Sequence, residues 1–524
     1  MLILGYDSRC YLLTELFHLF WQSLSPISLR HMGLEAIVTP ERQRQVGSDD
    51  RSHSNEYAHL SAAWRNMLRP INWSPFQHLP KKPHTNAHLR QVQQALTAQE
   101  QAELDRNYER AHLVFNALVG TTAGPAPTHY AGDVVFDEHV IPTRYKLGGT
   151  GTRDELLHTA DADMSWTMNN HKGTSWALGL TSVQRTHPLY GREVSQVATG
   201  IAIGRPTGGA TADALRALDA HIGRGEGPPK RGSAEAVADM GFSDKNGLAE
   251  GLLQRNYRLC QEYHSKGRRA SQPRFGTSSG GHIQGHGVIL CPGADRLSAT
   301  PIALPNQDDD YEEQLLAHDD LIREISAHTM KLNGLPKKLV KGTPGRPTNG
   351  SRAPAEIHRI DCVCPADCGL ARCELRPQSM NADPSIPFIH KPPSADTSPG
   401  ACRRTFSSFH ASKPEVKYMN SRLVGSWEHA DRYNGSRSRN EAFHSQLVDV
   451  TLAGLKGDRI QVFGIAAHGL LAAIAVSATN LFLNESFARS VEANGGLAPY
   501  EDRRAQRDTR RRILRRLRNR TKTL

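Results

Sequence analysis

A chain of 524 residues with 38% hydrophobic and 22% charged residues is long enough for two to four structural units and apolar enough for a packed core, which excludes a wholly disordered polypeptide. The formal net charge of +11 and a pI near 9.3 favour a polyanionic partner, either nucleic acid or an anionic membrane surface. Eight cysteines in so long a chain do not form the pattern of a secreted disulfide scaffold.

In chain order, Met1 to Trp21 carries an apolar stretch interrupted by Glu15 and His18, with no small-residue cleavage site after it. It reads as an amphipathic helix and not as a signal peptide. Glu41 to Asn55 reads as a polar linker. From His84 to Val119, Leu89, Val92, Leu96, Leu104, Leu113, Val114 and Leu118 recur at helical spacing, which predicts a two- or three-helix unit. Such a unit either binds DNA or packs on the core; the spacing alone does not establish a helix-turn-helix.

The pattern changes at Gly132. Gly132 to Asp137 reads as a strand ending on an acid, Trp176 to Val183 as a second strand and Val194 to Ile203 as a third. A short helix follows over Thr211 to His221, then a strand over Ala234 to Asp239 that again ends on an acid. Asn246 to Gln254 is expected to be helical and Tyr257 to Cys260 to be a fifth strand. This order predicts an α/β core of ribonuclease-H-like type: a mixed sheet flanked by helices. Gly267 to about Pro414 is irregular apart from an amphipathic helix over Tyr311 to Met330 and a basic segment from Lys337 to Arg346, so it reads as a long insertion. Helical pattern resumes near Ser438 and runs through Ala493. Val462 to Leu483 lacks acids, Lys and Arg and reaches bilayer-spanning length, but its Gly, His, Ser, Thr and Asn residues suit a buried helix better. The expected units are 1–125 (helical), 126–265 (first part of the core), 266–415 (insertion), 416–495 (rest of the core) and 496–524 (basic tail). Gly148 to Thr152 is glycine-rich but lacks the Lys-Ser/Thr of a phosphate loop.

The acids carry the chemistry. Two-metal phosphoryl transfer needs carboxylates converging on cations about 4 Å apart, and rigid strand ends are good platforms for them. Asp137 and Asp239 sit where strands are expected to end, and Glu441 opens the final helical stretch. A lone strand-end Asp is more often a turn former, so the words around the acids matter. Asp137 in GDVVFDEHVIPT resembles the first-strand motif of DDE-type insertion-sequence transposases. Asp239 in EAVADMGFSD is similar to their second motif, and Glu441 in RYNGSRSRNEAFHSQL to their third, with Arg437 one turn before the Glu and Arg439 nearby. The Ala/Leu-rich run that follows resembles the closing helix of that family. The resemblance spans roughly Ala131 to Leu483. It implies a ribonuclease-H-like core with a long insertion between the second and third acids, and Asp137, Asp239 and Glu441 holding Mg²⁺ or Mn²⁺. It further implies cleavage at transposon ends, strand transfer into target DNA, and a homodimer on paired ends. Two departures stand out: Tyr433 is one residue out of the family's register, and Val448 occupies the place of a phosphate-contacting Lys. A DNA-binding remnant without activity, or a nuclease without strand transfer, are the alternatives. Asp133, Glu138, Asp163 and Glu428 compete as acids, Asp163 most seriously with Asp137.

Cys362, Cys364, Cys368 and Cys373, with Cys291, Cys402 and His358 further off, have the donors for structural zinc, although their spacing is not that of a common zinc finger. Reduced packing cysteines are the alternative. From Arg503 to Lys522 eleven Lys or Arg face the single Asp508. This tail reads either as a solvated helix or as a phosphate-binding arm, with Arg511, Arg512, Arg515 and Arg516 as DNA contacts. A cytoplasmic protein that enters no membrane is expected.

Overall fold

The protein is seen in a computed structural model that describes residues 50–142, 159–169, 173–187, 193–206, 209–242, 247–263, 275–277, 281–306, 309–339, 357–390, 400–449, 452–455, 462–496 and 501–522, with isolated positions between 25 and 45. The expected N-terminal amphipathic helix, the Gly148–Thr152 segment and most of the basic segment after Leu339 lie outside the described residues.

Three helices lead into the sheet: α1 (Asp50–Leu68), α2 (Asn86–Gln94) and α3 (Ala98–Ala123). α1 takes in the second half of the expected polar linker, because Trp64 and Leu68 at its far end pack on the core and hold the whole helix. α3 begins in a capping box: the Glu100 amide donates to the Thr97 hydroxyl at 3.2 Å, and the Thr97 amide donates to the Glu100 carboxylate at 2.8 Å.

The chain then lays down β1 (Val134–Pro142), β2 (Ser165–Asn169), β3 (Gly173–Arg185), β4 (Ala198–Gly204), helix α4 (Ala210–His221), β5 (Ala234–Ala238), helix α5 (Leu248–Gln254) and β6 (Tyr257–Gln261). The fold is mixed α/β. β1 pairs antiparallel with β3 and parallel with β5, β5 pairs parallel with β6, and β3 also carries β4 and the short β2, both antiparallel. The strands that sequence pattern predicts are all present; β2 is an addition to them, and the third begins at Ala198, four residues late. β5 (Ala-Glu-Ala-Val-Ala) is buried along its whole length, as a central parallel strand requires.

Alternation along the strands sends side chains to two cores. Val134, Phe136 and Val183 face α4 and α5 through Ala214, Leu218 and Leu252. Leu178, Leu180, Ile201 and Ile203 meet Phe115 and Val119 of α3 on the opposite face. That second core is closed by α7 (Trp427–Val448) and α8 (Ile465–Ala493), written with the insertion's one long helix counted as α6 (Tyr311–His328). α8 is the one described helix long and apolar enough to cross a membrane, yet 83% of its apolar window is buried inside the protein. Gly469 lets Phe115 of α3 come so close that a Cβ there would stand 2.7 Å from the ring. The N-terminal helical unit therefore packs on the core instead of standing free.

The insertion is more ordered than its irregular sequence suggests. β7 (Phe275–Thr277), β8 (Ile283–Gly285) and β9 (Val288–Leu290) form a small antiparallel sheet. β12 (Ile357–Val363) pairs with β10 (Lys331–Leu332), β11 (Lys337–Leu339) and β15 (Phe406–Ser412), and β13 (Arg372–Cys373) pairs with β14 (Phe388–Ile389). Ile360, Phe409 and Ala411 of this region join the same buried cluster as α4 and α5. The C-terminal basic helix α9 (Glu501–Lys522) folds back on α6 and α7: Arg516 and Arg518 pair with Glu312 and Asp319, Arg518 also reaches Asp320 at 3.0 Å, and Arg510 reaches Asp431 at 3.0 Å over the Trp427 ring.

Candidate active site

The β1–β5 register runs from Val134↔Ala236 to Phe136↔Ala238, so Asp137 and Asp239 stand at the next step, on neighbouring strands. Asp137 is not at a strand end, as the sequence suggests. It is the fourth residue of β1, because Glu138 to Pro142 continue in pairing with Ala177 to Thr181 of β3 after the parallel pairing has stopped. Asp239 does follow the last residue of β5. There a tight turn takes over: the Phe242 amide donates to the Asp239 carbonyl at 2.9 Å, and the Phe242 ring meets Phe136 edge-on at 5.2 Å. The buried Phe242 thus anchors the turn that leaves Asp239 at the rim of the sheet.

α7 crosses this rim. It is capped by Ser426, whose hydroxyl accepts from the His429 amide at 3.2 Å. Its residues 433, 437 and 441 lie one turn apart on a common face. The Tyr433 hydroxyl donates to Asp239 Oδ1 at 3.3 Å, Arg437 Nη1 lies 3.2 Å from the same oxygen, and Arg437 Nε donates to Glu441 Oε1 at 2.9 Å. The helix also brings His444 Nδ1 to 3.8 Å from Asp137 Oδ2. Arg437 is thus the hinge of the arrangement: it links the acid after β5 to the acid on α7, beside the acid on β1.

Burial, and next the negative charge of Asp239, push Asp137 up to about 8, against the opposing pull of the Glu138 amide and Arg437. Partial burial would lower the Arg437 pKa, but Asp239 and Glu441 hold it above its ordinary value. His444 is pushed well below the usual histidine value by burial and by His139, whose ring lies 5.0 Å away, so it is neutral. Two acids that repel each other in a partly enclosed rim are a place that favours a cation. Among the described residues no group of three or more His, Cys, Asp or Glu stands already gathered as a metal cluster.

Two of the competing acids, Asp163 and Asp133, have structural roles. Asp163 Oδ2 accepts the Ile465 amide at 2.9 Å and Asp161 Oδ2 the Gly464 amide at 2.8 Å, so this pair caps the start of α8, and Ser74 donates to Asp163 Oδ1 at 2.5 Å. Asp133 is buried 3.2 Å from Arg432, which also holds Glu235 at 2.9 Å. Glu428 is exposed in the first turn of α7.

Of the arginines expected to meet DNA, only Arg437 stands at the acids. Arg439, two residues on, turns to a groove between α7 and α8 beside Gln446, Leu483 and Phe487. On α9, Arg516 is engaged with Glu312, whereas Arg511, Arg512 and Arg515 are exposed. The expected cysteine quartet is not brought together: Cys364 and Cys373 line one small cavity, but Cys362 is buried in β12 with its thiol toward the Ile360 carbonyl, and Cys368 is half-buried and outside that cavity. Sequence reasoning missed His139 and His444. His444 is legible in retrospect as three residues beyond Glu441, on the same side of α7.

Comparison with protein-family profiles, with curated proteins and with solved structures finds no match to this chain.

Proposed function

We propose that this chain is a DDE-type transposase that cleaves DNA at transposon ends and joins the freed 3′-hydroxyl to target DNA. The observation that carries the reading is Asp137 standing beside Asp239, one step past the parallel pairing of β1 and β5, with Glu441 joined to Asp239 through Arg437. The sheet path β4-β3-β1-β5-β6, antiparallel on the first side and parallel on the other, supports a ribonuclease-H-like core. The resemblance of the words around all three acids supports it independently.

Asp137, Asp239 and Glu441 would hold Mg²⁺ or Mn²⁺. The fit rests on their hard oxygen donors, on the burial and the nearby Asp239 charge that raise Asp137, and on a guanidinium that already bridges Asp239 and Glu441. When bound, the metal ions supply an activated nucleophile and a stabilised leaving oxygen. Arg437 is the movable cation: on release from the carboxylates it can take a DNA phosphate with two parallel N–H donors. Tyr433 holds Asp239 in orientation, and neutral His444 keeps a further positive charge away from Asp137. The exposed Arg511, Arg512 and Arg515 give a sequence-independent hold on DNA. Val448 removes one phosphate contact and leaves Arg437 as the cation of this helix face. Paired ends would bring two copies together.

The test is cleavage of end-containing DNA with Mg²⁺ or Mn²⁺ by the wild type and by Glu441→Gln. Metal-dependent nicking, lost in the variant, is expected, with products joined to target DNA. Salt-sensitive DNA binding without cleavage by either protein would sink the reading.

A further inference from the structure

Three stretches of the insertion that are far apart in sequence deliver four thiols to one cavity. Cys291 follows β9, Cys364 follows β12, Cys373 ends β13 and Cys402 sits in the short helix Gly400–Arg403. All four line the same small cavity, with Gly293, Pro365 and Ile389 closing it. The seven described cysteines are free thiols, so no disulfide explains the grouping.

We propose that Cys291, Cys364, Cys373 and Cys402 form a tetrathiolate site for a structural Zn²⁺ ion that ties the insertion together. Soft sulfur donors in a set of four suit zinc, and a closed set without a water position is structural, not catalytic.

Arg376 lines the cavity beside the cysteines, and a guanidinium there offsets part of the negative charge that four thiolates would bring to one divalent ion. The backbone at the ligands is held: the Cys291 amide donates to the His328 carbonyl at 2.8 Å, Cys364 to Thr405 at 3.0 Å and Cys373 to the Ser379 hydroxyl at 2.9 Å. Position 293 has to be small, since a Cβ there would stand 2.9 Å from Ile389 and 3.6 Å from the Cys291 sulfur. The four sulfurs share the walls of one cavity but are spaced more widely than the ligands of a closed coordination sphere. Deprotonation and metal binding would pull them together around the ion.

The quartet is not the one that sequence proximity suggests. Cys362 points into the core away from the cavity and Cys368 lies outside it, so both are controls. The full-length chain, purified reduced, incubated with Zn²⁺ and freed of excess, is expected to keep about one zinc per chain. Co²⁺ in its place should give the intense thiolate-to-metal absorption of a sulfur-rich tetrahedral site. Cys291→Ser and Cys402→Ser are expected to weaken zinc binding by more than the roughly 10–100-fold that loss of an outer-shell partner costs. Cys362→Ser and Cys368→Ser should leave it unchanged. Should the ligand variants fail to fold, X-ray absorption at the zinc edge of the wild type decides: a shell of four sulfurs is expected. A shell dominated by nitrogen or oxygen, a folded wild type that retains no zinc, or equal losses in the control variants would overturn the proposal. None of these readouts depends on DNA cleavage.

Discussion

The carboxylate rim and the cysteine-lined cavity differ in almost every physical respect. The rim is open: the Arg437 and Glu441 side chains are 40% and 58% exposed, and a flexible side chain bridges its charges. The cavity is small and enclosed, and the backbone amides of three of its cysteines are tied by hydrogen bonds. Hard oxygens at a wet, adjustable rim suit ions that exchange and chemistry that moves. Soft sulfurs in a closed chamber suit an ion that stays. Two sites in one chain can therefore be suited to exchange in the first case and to permanence in the second.

Perturbations that act on the rim alone give the sharpest contrast. Asp239→Ala and Glu441→Gln should each slow DNA nicking by about a thousand-fold or more, about 4 kcal/mol of barrier, with the unfolding midpoint nearly unchanged. A comparable loss of stability would mean that these acids are structural, like Asp133. The reverse profile is expected of Arg185, which is 1% exposed and bonded to Glu226 at 2.7 Å. Arg185→Ala leaves the buried Glu226 carboxylate with only Arg224, at 3.1 Å, as a cationic partner and should cost about 3–5 kcal/mol in urea unfolding, with no direct effect on the rim.

Acid should weaken the scaffold through two buried histidines. Burial pushes His112 and His221 from 6.5 down to about 4. In the unfolded chain both take up a proton as the pH falls past 6.5, while the folded chain keeps them neutral until about 4. Unfolding therefore binds protons across that window, so stability is level above pH 6.5 on their account and falls from 6.5 to 4. Gln at both positions should flatten the fall in a pH series of melting curves. A smaller effect is expected from Gly469→Ala, which forces the Phe115 ring back and should cost about 1–3 kcal/mol by overpacking. The smallest is at the α6–α9 contact. Asp319→Asn with Asp320→Asn should change stability by less than about 1 kcal/mol, because the pairs are at the surface. The same double substitution should tighten DNA binding at low salt, and unchanged binding would separate α9 from any role with DNA.

What sequence pattern can deliver follows the range of the forces involved. The five expected core strands and α4 are local apolar runs bounded by turns, and they are present. Asp239 is also local, since its strand, its turn and Phe242 lie within nine residues. Asp137 reads as a strand end because Glu138 and His139 look like solvent residues; only pairing with β3, some forty residues later, keeps the strand going. The cysteines show the limit more plainly. Cys362, Cys364 and Cys368 are close in the chain, yet the end of β12 at Val363 and the tight turn after it send them to different places, while Cys291 and Cys402 arrive from over a hundred residues apart. The role of Asp163 is hidden from the sequence for the same reason, because the amides that it and Asp161 cap belong to Ile465 and Gly464.

The docking of α9 has a consequence of its own. Glu312, Asp319 and Asp320 present to the arginines a row of anionic oxygens. Under the proposed DNA-binding role, a polyanion would have to displace α6 before it gained Arg516 and Arg518, whereas Arg511, Arg512 and Arg515 are already exposed. The tail would then bind with a threshold that charge alone does not supply.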